Sequence, residues 1–175
     1  MKLGGSLASD PSQLQRWLSM LATEGAGKVV IVPGGGPYAD LVRESQAKLG
    51  FSDSTAHRMA ILAMEQFALT LVALAPGLTP ADSAEGILGV LGQGGVPVWL
   101  PGIMTIGNPE IPESWDVSSD SLAAWLARRL GAERLVLVKS CAVPGDQASS
   151  EELRRLGIVD AAFPEFMRGT GFPVL

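Results

Sequence analysis

Apolar residues recur along this chain with two different periods, and segments of the two kinds alternate. Leu14, Trp17, Leu18 and Leu21 are spaced by three and four, which predicts a helix over 12–23. Val29, Val30, Ile31 and Val32 follow one another without a break, as in a strand buried on both faces, and predict a strand over 28–32. A helix is predicted over 38–49, with Leu41, Val42 and Leu49 inward and Arg43, Glu44 and Lys48 outward. The segment 56–74 is apolar over most of its circumference and reads as one long helix. Asp82-Ser83-Ala84-Glu85 has the form of a capped start, for a helix ending near Gly92. Gly92-Gln93-Gly94-Gly95 precedes a strand, so it reads as a helix C-cap and turn. Residues 1–3 read as the end of a first strand, and further strands are predicted over 96–100, over 133–138 and from Phe172. A helix is predicted over 119–130, and a short one over 150–156 capped by Ser149 with Glu152. Between them, 101–115 is a proline-punctuated loop long enough to be functional.

Strands alternating with helices predict an α/β fold, a three-layer α/β/α sandwich around a mainly parallel sheet. Ligands in such sheets sit outside the carboxyl ends of the strands. Two glycine-rich turns fall at those ends: Lys2-Leu3-Gly4-Gly5-Ser6-Leu7 and Val32-Pro33-Gly34-Gly35-Gly36-Pro37. A strand that ends in glycines and enters a helix offers backbone N–H groups to an anion, and the helix dipole adds partial positive charge. Lys2 supplies a full charge beside the first turn, as a phosphate contact or as an ordinary exposed lysine. Three consecutive glycines at Gly34, Gly35 and Gly36 exceed what a tight turn needs and favour a ligand turn. Two anion sites close together suit phosphoryl transfer, in which catalysis is mostly positioning and charge neutralisation.

Composition narrows this further. At 175 residues, one domain with a substantial core is expected, and hydrophobic residues make up 47%, enough to fill a core and a subunit interface. The net charge of −5, without a Lys/Arg cluster, argues against nucleic-acid binding. One cysteine, Cys141, and one histidine leave no disulfide and no zinc cluster, so any metal is expected to be Mg²⁺. The longest apolar run, near 67–76, is too short to span a bilayer, and the chain opens on a glycine turn rather than an apolar leader. No membrane association and a cytoplasmic location are expected. The common nucleotide signatures are absent: there is no G-x-x-x-x-G-K-[ST], and no G-x-G-x-x-G follows a strand.

Four motifs remain in order: Lys2-x-Gly4-Gly5-Ser6, Gly34-Gly35-Gly36, Trp115-Asp116-Val117-Ser118-Ser119-Asp120-Ser121 and the strand ending at Lys139. In this order they resemble the amino acid kinase superfamily, which includes acetylglutamate, aspartate and uridylate kinases. The resemblance implies that the K-x-G-G-S turn binds ATP phosphates and that the second turn holds the phosphoryl acceptor. It also implies that Asp120, at a helix start, organises phosphate-binding lysines. Ala56-His57-Arg58-Met59-Ala60, Ser114-Trp115-Asp116-Val117-Ser118-Ser119-Asp120 and Gly157-Ile158-Val159-Asp160-Ala161-Ala162-Phe163 are more specifically similar to a branch of methanogens and methylotrophs. That is the 5-(aminomethyl)-3-furanmethanol phosphate kinase-like branch, associated with methanofuran-type one-carbon metabolism. It implies ATP with Mg²⁺ and a small phosphorylated acceptor. About 1–130 would form the acceptor and phosphate-binding part and about 131–175 a shortened nucleotide-binding part. Relatives carry a T-D-x-x-G-like stretch where this chain has Lys139-Ser140-Cys141-Ala142-Val143-Pro144-Gly145, without the aspartate.

The candidate site residues divide accordingly. Lys2, Asp120 and Lys139 are the catalytic candidates. Lys139 ends a buried strand, where a charge needs a partner, either nucleotide phosphate or Asp120. Gly4, Gly5, Ser6 and Ser140 are assigned to the nucleotide, and Gly34, Gly35, Gly36, His57, Arg58 and Asp116 to the acceptor. His57-Arg58, read as opening the long helix, opposes its dipole and calls for an anion, which is either an acceptor phosphate or a neighbouring carboxylate. Asp116 serves Mg²⁺ or an acceptor amine, or is a structural loop carboxylate. Glu65 and Gln66 interrupt the apolar helix for an intersubunit bond or a substrate contact. The remaining apolar positions of that helix point in too many directions for one core face, so a homodimer or larger homo-oligomer is expected. Three competitors stay open: a nucleoside monophosphate kinase, an acylphosphate-forming kinase, and a non-catalytic nucleotide- or anion-binding subunit.

Overall fold

A computed structural model of the chain describes residues 1–141 and 148–175, so Ala142, Val143, Pro144 and Gly145 of the departing stretch lie outside the described residues. Five strands, β1 (Lys2–Leu3), β2 (Val32–Pro33), β3 (Leu78–Ala81), β4 (Val96–Trp99) and β5 (Leu137–Val138), pair only in parallel. β1 lies between β2 and β5, and an Ile31–Val98 bridge joins β2 to the β3–β4 pair. The spatial order is therefore β3-β4-β2-β1-β5, with a Leu135–Val174 bridge adding the C-terminal segment beyond β5. In a parallel sheet all carboxyl ends share one edge. The glycine turns after β1 and β2, and Lys139 after β5, emerge there together, because Leu3 pairs with both Pro33 and Val138.

The helices are α1 (Pro11–Glu24), α2 (Gly36–Leu49), α3 (Asp53–Leu74), α4 (Ala84–Gly92), α5 (Gly102–Thr105), α6 (Ser119–Arg129), α7 (Ser150–Arg155) and α8 (Phe163–Met167). Alternation along the strands divides the core into two layers. Leu3, Ile31 and Val98 face Leu14, Leu18, Phe67 and Leu71 of α1 and α3. Val32 and Trp99 face Ile87 of α4, Leu122 and Trp125 of α6, and Phe163 of α8. Trp99 and Trp125 stack with centroids 6.1 Å apart. Lys2 alternates with Leu3 and so projects toward the α6 layer. The result is the expected α/β/α sandwich.

Several details differ from expectation. Pairing near β2 begins at Ile31, because the Gly25 carbonyl accepts the amides of Lys28 and Val29 and holds the preceding residues in a turn. β3 was not anticipated; Pro80 lacks a donor, which an edge strand tolerates. The loop 101–115 contains α5, whose first amide, Gly102 N–H, donates to Glu65 Oε1 at 2.8 Å. Glu65 therefore has a partner within its own chain. Leu41 and Leu49, expected inward, are 62% and 78% exposed. α2 buries Val42, as expected, together with Ala39; Leu41 lies off that stripe, and Leu49 lies in the last turn of the helix. α3 begins at Asp53, with Ser52 Oγ accepting from the Thr55 amide, so His57 and Arg58 occupy its second turn rather than opening it. α3 is long and apolar enough to cross a membrane, but Ala56, Ile61, Phe67 and Leu71 are buried against the rest of the chain.

Candidate active site at the carboxyl edge of the sheet

Lys2 and Asp120 are 5% and 4% exposed. Asp120 sits in the first turn of α6 and meets two lysines from two adjacent strands. Lys2 Nζ lies 3.0 Å from Oδ1, close enough for an ion pair but without the alignment of a hydrogen bond. Lys139 Nζ donates to Oδ2 at 2.6 Å. Burial pushes the Lys2 ammonium below its ordinary range; the neighbouring Asp120 charge opposes that shift, and the Lys139 charge adds to it. One carboxylate thus holds two ammonium groups together at the sheet edge.

The two glycine turns pack on each other. A Cβ at Gly5 would lie 2.3 Å from the Gly36 amide nitrogen, so only glycine allows the turns to meet. Gly36 also has φ +56° and faces the Phe67 ring. Gly34 N–H donates to the Leu3 carbonyl at 2.8 Å, and Gly4 N–H to that of Val138 at 3.3 Å. Protein packing therefore accounts for part of the glycine content that the sequence alone attributes to a ligand. Gly35 and Gly36 stand at the start of α2, and Gly5 and Ser6 at the start of a 3-10 turn, positions whose N–H groups have no intrahelical acceptor. Ser6 Oγ and Ser140 Oγ are 3.0 Å apart and link the first turn to the segment after β5.

Gly5, Ser6, Gly35 and Gly36 line a cavity of about 240 Å³, together with Asp40, Arg43, His57, Trp115, Ser118 and Ser119. The Arg43 guanidinium lies 4.5 Å from the Trp115 ring centroid, and Trp115 Nε1 donates to Gln46 at 2.6 Å. These fix one aromatic wall of the cavity, which no sequence pattern announced. His57 is on the cavity, but Arg58 is not among its lining residues. Arg58 Nε donates to Glu113 at 2.8 Å, and Ser54 Oγ donates to the same carboxylate. The anion beside the basic pair is thus a neighbouring carboxylate. The Asp116 side chain is exposed, and its carbonyl accepts from the Ala162 amide at 2.9 Å.

Asp160, in the Gly157–Phe163 stretch, anchors α6. It accepts from the Ser118 amide at 3.0 Å, the Ser118 hydroxyl at 2.8 Å and the Ser121 amide at 3.0 Å, and also from the Ser121 hydroxyl. A carboxylate here caps the helix and complements its dipole, fixing the turn that carries Asp120. Asp160→Ala leaves several of these groups without partners, and Ser121 is fully buried. A loss of about 3 kcal/mol is expected in urea unfolding. Asp116→Ala, at an exposed side chain, is expected to change stability by less than about 0.5 kcal/mol. Equal stability of the Asp160 variant and the parent protein would contradict this anchoring role.

Comparison with known proteins bears on the family and the fold. Residues 1–145 match the amino acid kinase family. The chain is 26% identical over 178 aligned positions to "[5-(aminomethyl)furan-3-yl]methyl phosphate kinase" of Methanocaldococcus jannaschii, covering 96% of this chain and 82% of that protein. The structure of uridylate kinase from Archaeoglobus fulgidus superposes with a TM-score of 0.70 at 18% identity, covering 98% of this chain and 86% of the other, which is a likeness of fold. With its parallel sheet, paired glycine turns and two lysines on one aspartate, the chain belongs to the amino acid kinase family.

Proposed function

We propose that this chain is an ATP-dependent phosphotransferase acting on a small phosphorylated acceptor. The observation that carries the reading is the buried Lys2–Asp120–Lys139 cluster beside two glycine turns at one sheet edge. Mg²⁺ would come with ATP and would neutralise charge on its phosphates. Among the described residues no group of three or more His, Cys, Asp or Glu is placed to hold a metal, and both Asp120 oxygens face lysines. Lys2 and Lys139 neutralise the transferring phosphate, Gly5, Ser6 and Ser140 offer it hydrogen-bond donors, and Gly4, whose N–H is taken by Val138, leaves room beside Lys2 Nζ. Asp120 keeps the two ammonium groups in place without itself touching the reacting atoms. The acceptor lies in the cavity between the α2 N-terminus and Trp115. A phosphate oxygen of the acceptor attacks the γ-phosphorus, the bond from that phosphorus to the β–γ bridging oxygen breaks, and ADP leaves. An ionised phosphate nucleophile has no proton to lose, so no strong general base is needed.

The relative from M. jannaschii is named for [5-(aminomethyl)furan-3-yl]methyl phosphate, and we assign the same acceptor class here. The cavity supports a compact acceptor. At about 240 Å³ it is smaller than typical ligand pockets, which begin near ~300 Å³. The product would be the diphosphate, in a cytoplasmic pathway of methanofuran type. An ADP-release assay with [5-(aminomethyl)furan-3-yl]methyl phosphate, UMP, N-acetylglutamate and aspartate tests the assignment. ADP is expected with the first alone. Turnover of UMP or a carboxylate overturns the acceptor class, and ATP binding without ADP from any acceptor overturns catalysis.

We also propose a homodimer through α2 and α3. Leu41, Met59 and Leu62 are 62%, 37% and 47% exposed and border one groove with Tyr38 and Gln66. A second copy covering this face removes a contiguous apolar patch from water. Light scattering at micromolar concentration is expected to give twice the monomer mass, and Leu62→Glu to give the monomer. A monomeric parent protein contradicts the proposal.

A further inference from the structure

His57 is the only histidine of the chain. It is 2% exposed, and neither ring nitrogen has a hydrogen-bond partner among the described residues. A neutral imidazole carries one N–H donor and one bare acceptor, and burying both unmet is unfavourable. A histidine kept for packing alone would normally be satisfied by a carbonyl or hydroxyl. This one lines the same cavity as the α2 N-terminus, where Gly35 precedes a 14-residue helix that begins at Gly36. Both nitrogens are buried, so the ring presents one to a ligand by turning about χ2, a torsion that is broad for histidine.

The charges around it are Asp40 and Arg43 from α2, Arg58 on α3, and Glu113 from the segment between α5 and α6. Burial pushes the imidazolium below its ordinary range, and Glu113 opposes that shift incompletely. Glu113 is already bonded to Arg58 and Ser54, and Arg43 is stacked on Trp115. Asp40 is paired with Arg43 at 3.5 Å, so the side chains lining the cavity give the imidazolium no unshared counter-ion.

We propose that His57 binds the phosphate of the acceptor: when a phosphate monoester enters the cavity, the imidazole takes up a proton from solvent and donates N–H to a non-bridging phosphate oxygen. The inference rests on the cavity being the acceptor site and names the group there that distinguishes a phosphorylated acceptor from its alcohol. The entering dianion supplies the missing counter-charge beside the α2 N-terminus, and the ligand satisfies a nitrogen that the protein leaves unbonded. An alcohol brings no charge and leaves the imidazole neutral.

Because the chain has one histidine, NMR of histidine-labelled protein reads this group alone. Benzyl phosphate is the probe and benzyl alcohol its phosphate-free counterpart, with the Trp115 indole signal reporting occupancy. Without ligand, the imidazole is expected to titrate below the ordinary histidine range, because it is buried. Saturating benzyl phosphate is expected to raise its pKa by about one unit or more, equivalent to roughly tenfold tighter binding to the imidazolium. Benzyl alcohol is expected to leave it unchanged. Binding of benzyl phosphate with an unchanged pKa overturns the inference, and so does failure of benzyl phosphate to bind at millimolar concentration. His57→Gln is expected to raise the KM for the phosphorylated acceptor about tenfold or more with the KM for ATP unchanged. An unchanged acceptor KM in that variant overturns the role of His57 while leaving the kinase reading standing. Absence of ADP formation by the parent protein removes the kinase reading, and the NMR titration still decides the phosphate contact.

Discussion

Asp120→Asn is expected to lower both stability and turnover. The carboxylate lies between two buried or half-buried ammonium groups, and the asparagine side chain brings no charge to hold them. Removing one partner of a buried charge cluster typically costs about 3–5 kcal/mol, because the charge left behind has neither water nor a counter-ion. Lys2 already has its ammonium form disfavoured by burial, so it can lose its proton. That escape places the expected loss near the lower end, about 3 kcal/mol in urea unfolding. The lysine that sheds its charge can no longer neutralise a phosphate. Activity per folded molecule should therefore fall about a hundredfold or more, as when a preorganised electrostatic contact is removed. A variant as stable as the parent, with normal turnover, would show that the aspartate does not organise the lysines.

Lys2→Met is expected to separate the two effects. Methionine fills similar space with an apolar chain, and Asp120 keeps its 2.6 Å bond to Lys139. The cluster passes from two ammonium groups on one carboxylate to a single matched pair, so stability is expected to fall less than in Asp120→Asn. Turnover should nonetheless fall by at least about a hundredfold, since the missing charge is the one aimed from β1 at the sheet edge. KM for the acceptor should change little, because Lys2 is not among the residues that line the acceptor cavity. Parent-like turnover in the folded variant would remove Lys2 from the phosphate site.

What the sequence made legible was local. The 3.6-residue spacing of Leu14, Leu18 and Leu21 marked α1, and Ser83 and Ser149 marked helix starts that the structure caps through the amides of Gly86 and Glu152. Lys139 could be read as a buried charge in need of a partner, and Asp120 is that partner. The contacts that were not legible join distant positions. Asp160 reaches Ser118 and Ser121 across 42 and 39 residues, and Glu113 reaches Arg58 across 55. No periodicity encodes such pairs. The glycine triplet was legible as a special turn, but not as the place where one turn rests on another, because that contact exists only once β1 and β2 are side by side. Leu49 misled for a related reason: it falls on an apolar spacing in a last turn that nothing covers.

Passage of a phosphoryl group from ATP to an acceptor phosphate is read directly by ³¹P NMR of the purified protein with Mg²⁺, ATP and [5-(aminomethyl)furan-3-yl]methyl phosphate. Loss of the monoester resonance, growth of two coupled diphosphate resonances and equimolar ADP are expected, all abolished by Lys2→Met. Release of inorganic phosphate without a diphosphate, or an unchanged monoester signal in the presence of bound ATP, would contradict this transfer.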